Sequence, residues 1–265
     1  KNDKSMSLGE YLDHKNCHPT FINDHLLPMG AAIWSTTSEE IKAYPANAFI
    51  RFFQSHGLLN IIRRPSWRTV TGGSREYIKL MSAQLKDRIV LDAVVSVSRK
   101  SEKVEVKTKG GESLWFDQIV IATHADEAIA LIEEPNELET KLLSPWHYTK
   151  NQTILHRDKK FMPKERRTWS SWNFLEAASE TRKKAFSVTY WMNKLQNLET
   201  ENDYFVTLNP NMRINPDTII LEQEYMHPFF DEKALKSQKF LWDLQGVDRL
   251  WSVSYTHLTL PTKQM

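Results

Sequence analysis

The chain has 265 residues, 40% of them apolar and 26% charged, and its 35 basic and 33 acidic side chains leave a formal net charge of +2. That composition is globular, with material for one large or two ordinary domains, and it excludes an electrostatic case for nucleic acid, because the basic pairs Arg63-Arg64, Lys159-Lys160 and Arg166-Arg167 are short and scattered. No apolar run approaches the roughly 18 to 20 residues that span a bilayer, which leaves peripheral membrane contact open, and a lone Cys17 excludes an internal disulfide and points to a reducing, cytoplasmic setting.

In chain order, residues 1–66 read as helices. Ser7 with Glu10 three positions on is a capping-box signal ahead of Leu8, Tyr11 and Leu12. His14, Cys17 and His18 sit too close together for an ordinary zinc site and have no second pair nearby, so no metal is expected. Pro19 and Pro28 punctuate a second helical run through Phe21, Ile22, His25 and Leu26. Ser38-Glu-Glu-Ile-Lys opens a third, and residues 46–55, with Phe49, Ile50, Phe52 and Phe53, form a fourth that ends at Gly57.

Residues 67–132 alternate strand and helix. A Trp67-Arg-Thr-Val70 strand runs into Gly72-Gly73-Ser74-Arg75 and a helix with Tyr77, Ile78, Met81 and Leu85 at helical spacing. Residues 89–91, 94–97 and 104–106 read as strands, Lys109-Gly-Gly-Glu112 as a hairpin turn, and 118–124 as an apolar strand before a helix that Asp126 and Glu127 start. Residues 133–251 are a run of strands at 152–156, 168–174, 186–192, 204–208 and 218–224, then one helix over 232–245. Strands that follow helices in this way suggest a domain on a mixed or antiparallel sheet. Its aromatic density, from Trp146, Trp169, Trp172, Tyr190, Trp191, Phe205, Phe229 and Phe230, suits either a long apolar pocket or a core in which most of these rings are buried. Val253-Ser-Tyr-Thr-His-Leu-Thr-Leu-Pro-Thr262 reads as a translated sequencing-library adapter. Residues 252–265 are therefore expected to be a non-native tail, and His257 carries no functional weight.

Three phrases, Gly72-Gly73-Ser74, Leu91-Asp-Ala-Val-Val95 and Asp117-Gln-Ile-Val-Ile-Ala-Thr-His124, together resemble the flavin-containing amine oxidase superfamily. In that superfamily a Gly-Gly pair opens a helix, a Val-rich strand touches the adenine end of FAD, and a later strand returns beside the flavin. Pro28-Met-Gly-Ala-Ala-Ile-Trp-Ser35, Arg64-Pro-Ser-Trp-Arg-Thr-Val70, Trp169-Ser-Ser-Trp-Asn173 and Thr189-Tyr-Trp-Met-Asn193 are similar to a bacterial group of NAD/FAD-binding amine-oxidase-like proteins. The resemblance covers nearly all of residues 1–251.

It implies an α/β fold with α+β character: part of an FAD-binding Rossmann-like domain with an inserted substrate domain of mixed or antiparallel sheet and helices. The implied organisation is a helical substrate or cap segment at 1–66, the second half of the FAD domain at 67–132 and the substrate domain at 133–251. FAD is the implied cofactor, with Gly72, Gly73, Ser74, Val94, Val95, Ala122, Thr123 and His124 as its binding residues. Trp172, Asn173, Tyr190 and Asn193 are the implied substrate-pocket residues, and no catalytic residue is assigned. Gly72-Gly73 also reads as a plain strand-to-helix turn, and His124 as a structural strand-end histidine.

The eight glycines include no Gly-x-Gly-x-x-Gly turn for a pyrophosphate, and the family's C-terminal glycine-rich segment is replaced by the adapter-like stretch. The chain is therefore expected to be a fragment that purifies colourless. Asn151 stands where true amine oxidases place a lysine, and Lys150 beside it faces the other side of the strand. The resemblance thus implies an FAD-dependent oxidoreductase that dehydrogenates or desaturates an apolar, lipid-like molecule. A non-catalytic flavoprotein subunit beside a lipid-modifying enzyme, or a true amine oxidase, are the alternatives.

Overall fold

The computed structural model describes residues 6–34, 37–60, 62, 66, 68–175 and 187–253. Its first helix, α1 (Leu8–His14), starts at a capping box in which the Glu10 N–H donates to Ser7 Oγ at 3.3 Å and the Ser7 N–H donates to the Glu10 carboxylate at 2.8 Å. Pro19 opens α2 (Pro19–Phe21), but Pro28 does not end the run. A π-helical stretch, Ile22–Leu26, leads directly into α3 (Leu27–Trp34), with the Leu27 N–H bonded to the Ile22 carbonyl. Proline lacks an N–H and its ring crowds the carbonyl four residues back. The wider turn just before Pro28 relieves that clash, so the helix passes through.

α4 (Ser38–Ala43) starts at Ser38 as read from the sequence, with Thr37 as its cap and Glu40 as the reciprocal partner. α5 (Ala46–Ser55) is followed by Gly57 at φ +67. Leu8, Leu12, Leu27, Ile41, Phe49 and Phe53 form one helical core. Gly30 permits the close approach of α3, because a Cβ there would lie 2.9 Å from the buried Phe49 ring and 3.1 Å from Ile41. Gly30→Ala is expected to lower the urea midpoint, since overpacking costs about 1–3 kcal/mol and outweighs a helix-propensity gain of about 1 kcal/mol. An unchanged or raised midpoint would show that Phe49 can yield.

The remaining elements are α6 (Arg75–Ser82), β1 (Val94–Arg99), β2 (Val104–Thr108), β3 (Ser113–Phe116), β4 (Ile119–Ile121), α7 (Ala125–Leu131), α8 (Glu137–Leu143), β5 (His147–His156), β6 (Trp172–Phe174), β7 (Val188–Trp191), α9 (Met192–Gln196), β8 (Phe205–Leu208), β9 (Ile219–Phe229), α10 (Glu232–Gln238) and β10 (Leu250–Ser252). They group into two compact units, residues 1–84 with 149–227, and 85–148 with 228–265. The stretch 67–132 is thereby divided after Gln84.

The first unit is the helical layer on a five-stranded sheet of order β6-β7-β8-β5-β9, antiparallel across β6–β7, β7–β8 and β8–β5. Directly opposed residues share a face. One face carries Trp172, Phe174, Val188, Tyr190, Val206, Leu208, Thr153 and Leu155, and the helical core packs on its Val188 and Tyr190. The other carries Asn173, Thr189, Trp191, Thr207, Phe205, Ile154 and His156, covered by Phe161, Met162, Trp169 and Ile214. The strand read at 168–174 shrinks to β6, because the Trp169 N–H closes a 3₁₀ turn on the Arg166 carbonyl and the Arg166 guanidinium reaches Asp203 at 2.7 and 3.0 Å.

The second unit joins an antiparallel β1-β2-β3 meander to a parallel β4–β10 pair. The β2–β3 turn has Gly111 at φ +87. Val97, Val104, Ile121, Ala128, Ile132 and Leu250 form one core, and Ala125, Leu142, Leu143, Trp146, Ala234, Leu241 and Leu244 another. The helix read over 232–245 is instead α10 plus a 3₁₀ turn at Leu241–Leu244, a tightening that keeps Leu241 and Leu244 in the core while Phe240 stays outside. β10 was not anticipated. It pairs Leu250, Trp251 and Ser252 with Ile119, Val120 and Ile121, so Ser252 is buried and the Val253 N–H bonds the Ile121 carbonyl. The rest of the adapter-like stretch, 254–265, lies outside the described residues.

Candidate functional site

In the second unit the chain leaves the carboxyl end of β4 through Ala122, Thr123 and His124 and enters α7. Carboxyl ends of parallel strands are where open α/β sheets place ligands. Ala122 is exposed there, and Val120 on the outer face of β4 is 61% exposed. The His124 imidazole stacks on the Tyr148 ring at 4.2 Å and 17°. The Tyr148 hydroxyl accepts the Ala125 N–H at 3.0 Å, and the Glu127 carboxylate accepts the His124 N–H at 3.0 Å while lying 3.8 Å from Nδ1.

On β1 the register slips between Val94, opposite Thr108, and Ser96, opposite Lys107. Val95 is the extra residue of that bulge and has no partner in the register. Both valine side chains are exposed.

In the first unit Gly72 and Gly73 adopt φ +80 and +88, which side chains disfavour. A Cβ on Gly72 would meet Glu76 Cγ at 2.9 Å, whereas one on Gly73 would meet nothing within 4 Å. Gly72→Ala is therefore expected to destabilise the start of α6 by about 1–2 kcal/mol through backbone strain, measured as a lower unfolding midpoint, with Gly73→Ala costing less. Equal losses would mean that the Glu76 contact is immaterial. Ser74 precedes α6 in helical conformation and its side chain makes no cap bond. The apolar face of α6, with Tyr77, Ile78, Leu80 and Met81, is exposed. The cofactor candidates thus divide between the units, Gly72, Gly73 and Ser74 in one and Val94, Val95, Ala122, Thr123 and His124 in the other.

Of the four substrate-pocket candidates the structure brings two together. Trp172 and Tyr190 meet edge-on at 5.5 Å on the partly open sheet face, where burial raises the Tyr190 phenol pKa. Asn173 lies on the opposite face, its amide hydrogens donated to the Ser170 and Thr189 carbonyls and its oxygen accepting the Ser170 N–H. Asn193 closes a loop, donating to Thr200 Oγ1 and the Asn202 carbonyl and accepting the Tyr204 N–H. Both amides hold backbone, which the sequence could not reveal. Trp169, Trp191 and Phe205 belong to the closed face, and Trp146 packs on Phe230 in the second unit.

Three members of the open face were missed. Phe174 sits beside Trp172 on β6, and Leu221 and Tyr225 follow from alternation along β9, because Glu222 bonds Gln152 and Glu224 pairs with Lys150 on the other side. Lys150 is exposed and its ammonium lies 3.0 Å from Glu224, while the neighbouring Asn151 is buried and accepts from Asn209 Nδ2 at 2.7 Å. Among the described residues no group of three or more His, Cys, Asp or Glu is placed to hold a metal ion, and no helix is long and apolar enough to cross a membrane.

A family model described as flavin containing amine oxidoreductase matches residues 24–200. No curated protein matches the sequence. Among solved structures, the chain is similar to a conjugated-linoleic-acid-producing fatty acid isomerase from P. acnes (14% identity, TM-score 0.60), to putrescine oxidase bound to putrescine (14%, 0.62) and to cyclohexylamine oxidase from Brevibacterium oxydans IH-35A (9%, 0.61). The alignments cover 95–96% of this chain and 62% of each of those proteins, so the chain spans less than two thirds of their length. At such identities the likeness is one of fold, an FAD-binding amine-oxidase-like arrangement of helices and sheets. With the family model matching most of its length, the chain belongs to the flavin-containing amine oxidoreductases.

Proposed function

We propose that this chain is part of an FAD-dependent oxidoreductase that oxidises or desaturates an apolar, lipid-like substrate. The observation that carries this reading is the open face of the five-stranded sheet. Trp172, Phe174, Tyr190, Val206, Leu208, Thr153, Leu155, Leu221 and Tyr225 include no charged side chain, and Lys150, Glu222 and Glu224 are turned to the other side. An alkyl ammonium needs a carboxylate or a closed aromatic cage to offset its desolvation. An acyl chain needs only apolar wall, with a few amides for orientation.

FAD is the family's cofactor and, when bound, supplies the hydride acceptor. In this reading Gly72, Gly73 and Ser74 give it a close backbone turn, Val94 and the bulged Val95 give it peptide groups, and Ala122, Thr123 and His124 border it at the strand end. The sheet face positions the substrate and excludes water. The setting is cytoplasmic, with peripheral contact to a membrane as the source of substrate.

The test is anaerobic titration of the FAD-loaded oxidoreductase of which this chain is part with fatty acyl lipids and, separately, with primary alkyl amines, following the yellow flavin band. Bleaching by lipids supports the proposal. Bleaching by amines alone makes the protein a true amine oxidase, and a yellow protein bleached by neither is a non-catalytic flavoprotein.

A further inference from the structure

We infer that Tyr148 is a positioning residue that fixes the strand-end segment 122–124 and the plane of the His124 imidazole. The inference rests on the assignment of that segment to the ligand edge of the second unit. One side chain makes two different contacts there. Its ring lies parallel to the imidazole at 4.2 Å, and its hydroxyl accepts the Ala125 N–H at 3.0 Å.

Ala125 opens α7, and the first N–H groups of a helix have no partner within it. Ser, Thr, Asp or Asn at the preceding position would ordinarily supply one, but His124 stands there. Glu127 takes the His124 N–H, and Tyr148, from β5, takes that of Ala125. The turn is therefore held from a distant part of the chain, by a residue whose body packs on the buried Ala125, Leu142 and Trp146 cluster.

The same contacts constrain the imidazole. Stacking sets its plane, and the Glu127 carboxylate lies 3.8 Å from Nδ1. Nε2 makes no hydrogen bond among the described residues, with the side chain 27% exposed. The arrangement thus holds Nε2 in a fixed orientation for a polar group of a ligand. A histidine serving only as a cap would not need the stack.

The experiment uses the chain itself, without flavin. Tyr148→Phe keeps the ring and removes the acceptor, whereas Tyr148→Leu keeps apolar bulk and removes both contacts. Hydrogen exchange at Ala125 should accelerate about ten-fold in Tyr148→Phe, as loss of one hydrogen bond predicts, while the ¹⁵N shifts of His124 stay those of wild type. In Tyr148→Leu the same shifts should move to the averaged values of a mobile ring. If both variants keep wild-type His124 shifts, with only the unfolding midpoint lowered, Tyr148 is a core residue and the inference is overturned. Wild-type protein already showing the averaged shifts of a mobile ring would overturn it as well. Flavin bleaching does not read His124 in the free chain, so failure of the proposed function and failure of this inference appear in different measurements.

Discussion

Glu139→Ala is expected to cost about 3 kcal/mol of folding stability, read as a fall in the urea midpoint, because it breaks a buried ion pair from the buried side. The Glu139 side chain is 3% exposed, and its carboxylate pairs with Arg99, tying α8 to β1. It also accepts the Asn136 N–H at 2.8 Å, which makes it half of the capping box of α8. The alanine leaves Arg99, 20% exposed, with the Glu134 carbonyl at 3.4 Å as its remaining partner. It also opens the cap, itself worth about 1 kcal/mol. Glu139→Gln keeps an acceptor for Asn136 and for the guanidinium, so it should lose less than half as much. If both variants fell within about 0.5 kcal/mol of wild type, the range of ordinary surface changes, water would be replacing the carboxylate and the pair would not hold α8 to the meander.

That pair was not legible in the sequence, and the reason is general to this chain. Local signals were read well. Ser7 with Glu10 caps α1, Lys109-Gly-Gly-Glu112 turns between β2 and β3, and the positive φ at Gly72 and Gly73 lies where a Gly-Gly step precedes a helix. Each of these depends on residues within a few positions of one another. What depends on pairing across the fold was missed. β10 is three residues long and becomes a strand only by lying beside β4. Lys159 and Arg166, scattered as sequence, converge on the buried Asp203, whose carboxyl pKa is lowered first by the Arg166 hydrogen bonds. Asn173 looked available to a ligand because its side chain is polar in an aromatic stretch, yet the register of β6 against β7 turns it to the closed face. Tyr148 gave no signal at all, since its role arises from the distant start of α7.

Acidification from pH 6.5 to 4 is expected to remove about 3 kcal/mol of stability through one residue, His156. Its ring is fully buried between Phe161 and Phe205, with Nε2 2.7 Å from Thr207 Oγ1 and Nδ1 accepting the Asp158 N–H at 3.1 Å. Thr207 Oγ1 continues to Thr189 Oγ1 at 2.8 Å. A proton on Nδ1 would set N–H against N–H in a site closed to water. Burial accordingly lowers the ring pKa from 6.5 to about 4, with the nearby Asp158 carboxylate opposing the shift. Above pH 6.5 the imidazole is neutral in both folded and unfolded chains and the stabilisation is complete. Below 6.5 the unfolded chain binds a proton that the folded chain refuses, so stability falls until about pH 4, where both are protonated and this contribution is spent. At about 1.4 kcal/mol for each pH unit of that window the loss comes to about 3 kcal/mol. Asp203, with its pKa lowered from 3.8, loses its stabilisation only at more acid pH, so the two do not overlap. His156→Gln retains a donor for Thr207 and an acceptor for Asp158 but does not titrate. It should be less stable at neutral pH, yet its stability should be nearly flat from pH 6.5 to about 5, above the range in which carboxylates of lowered pKa such as Glu105 and Glu133 begin to lose stabilisation. Urea midpoints at half-unit steps of pH decide it, and parallel curves for the two proteins would show that the buried imidazole is not the source of the acid sensitivity.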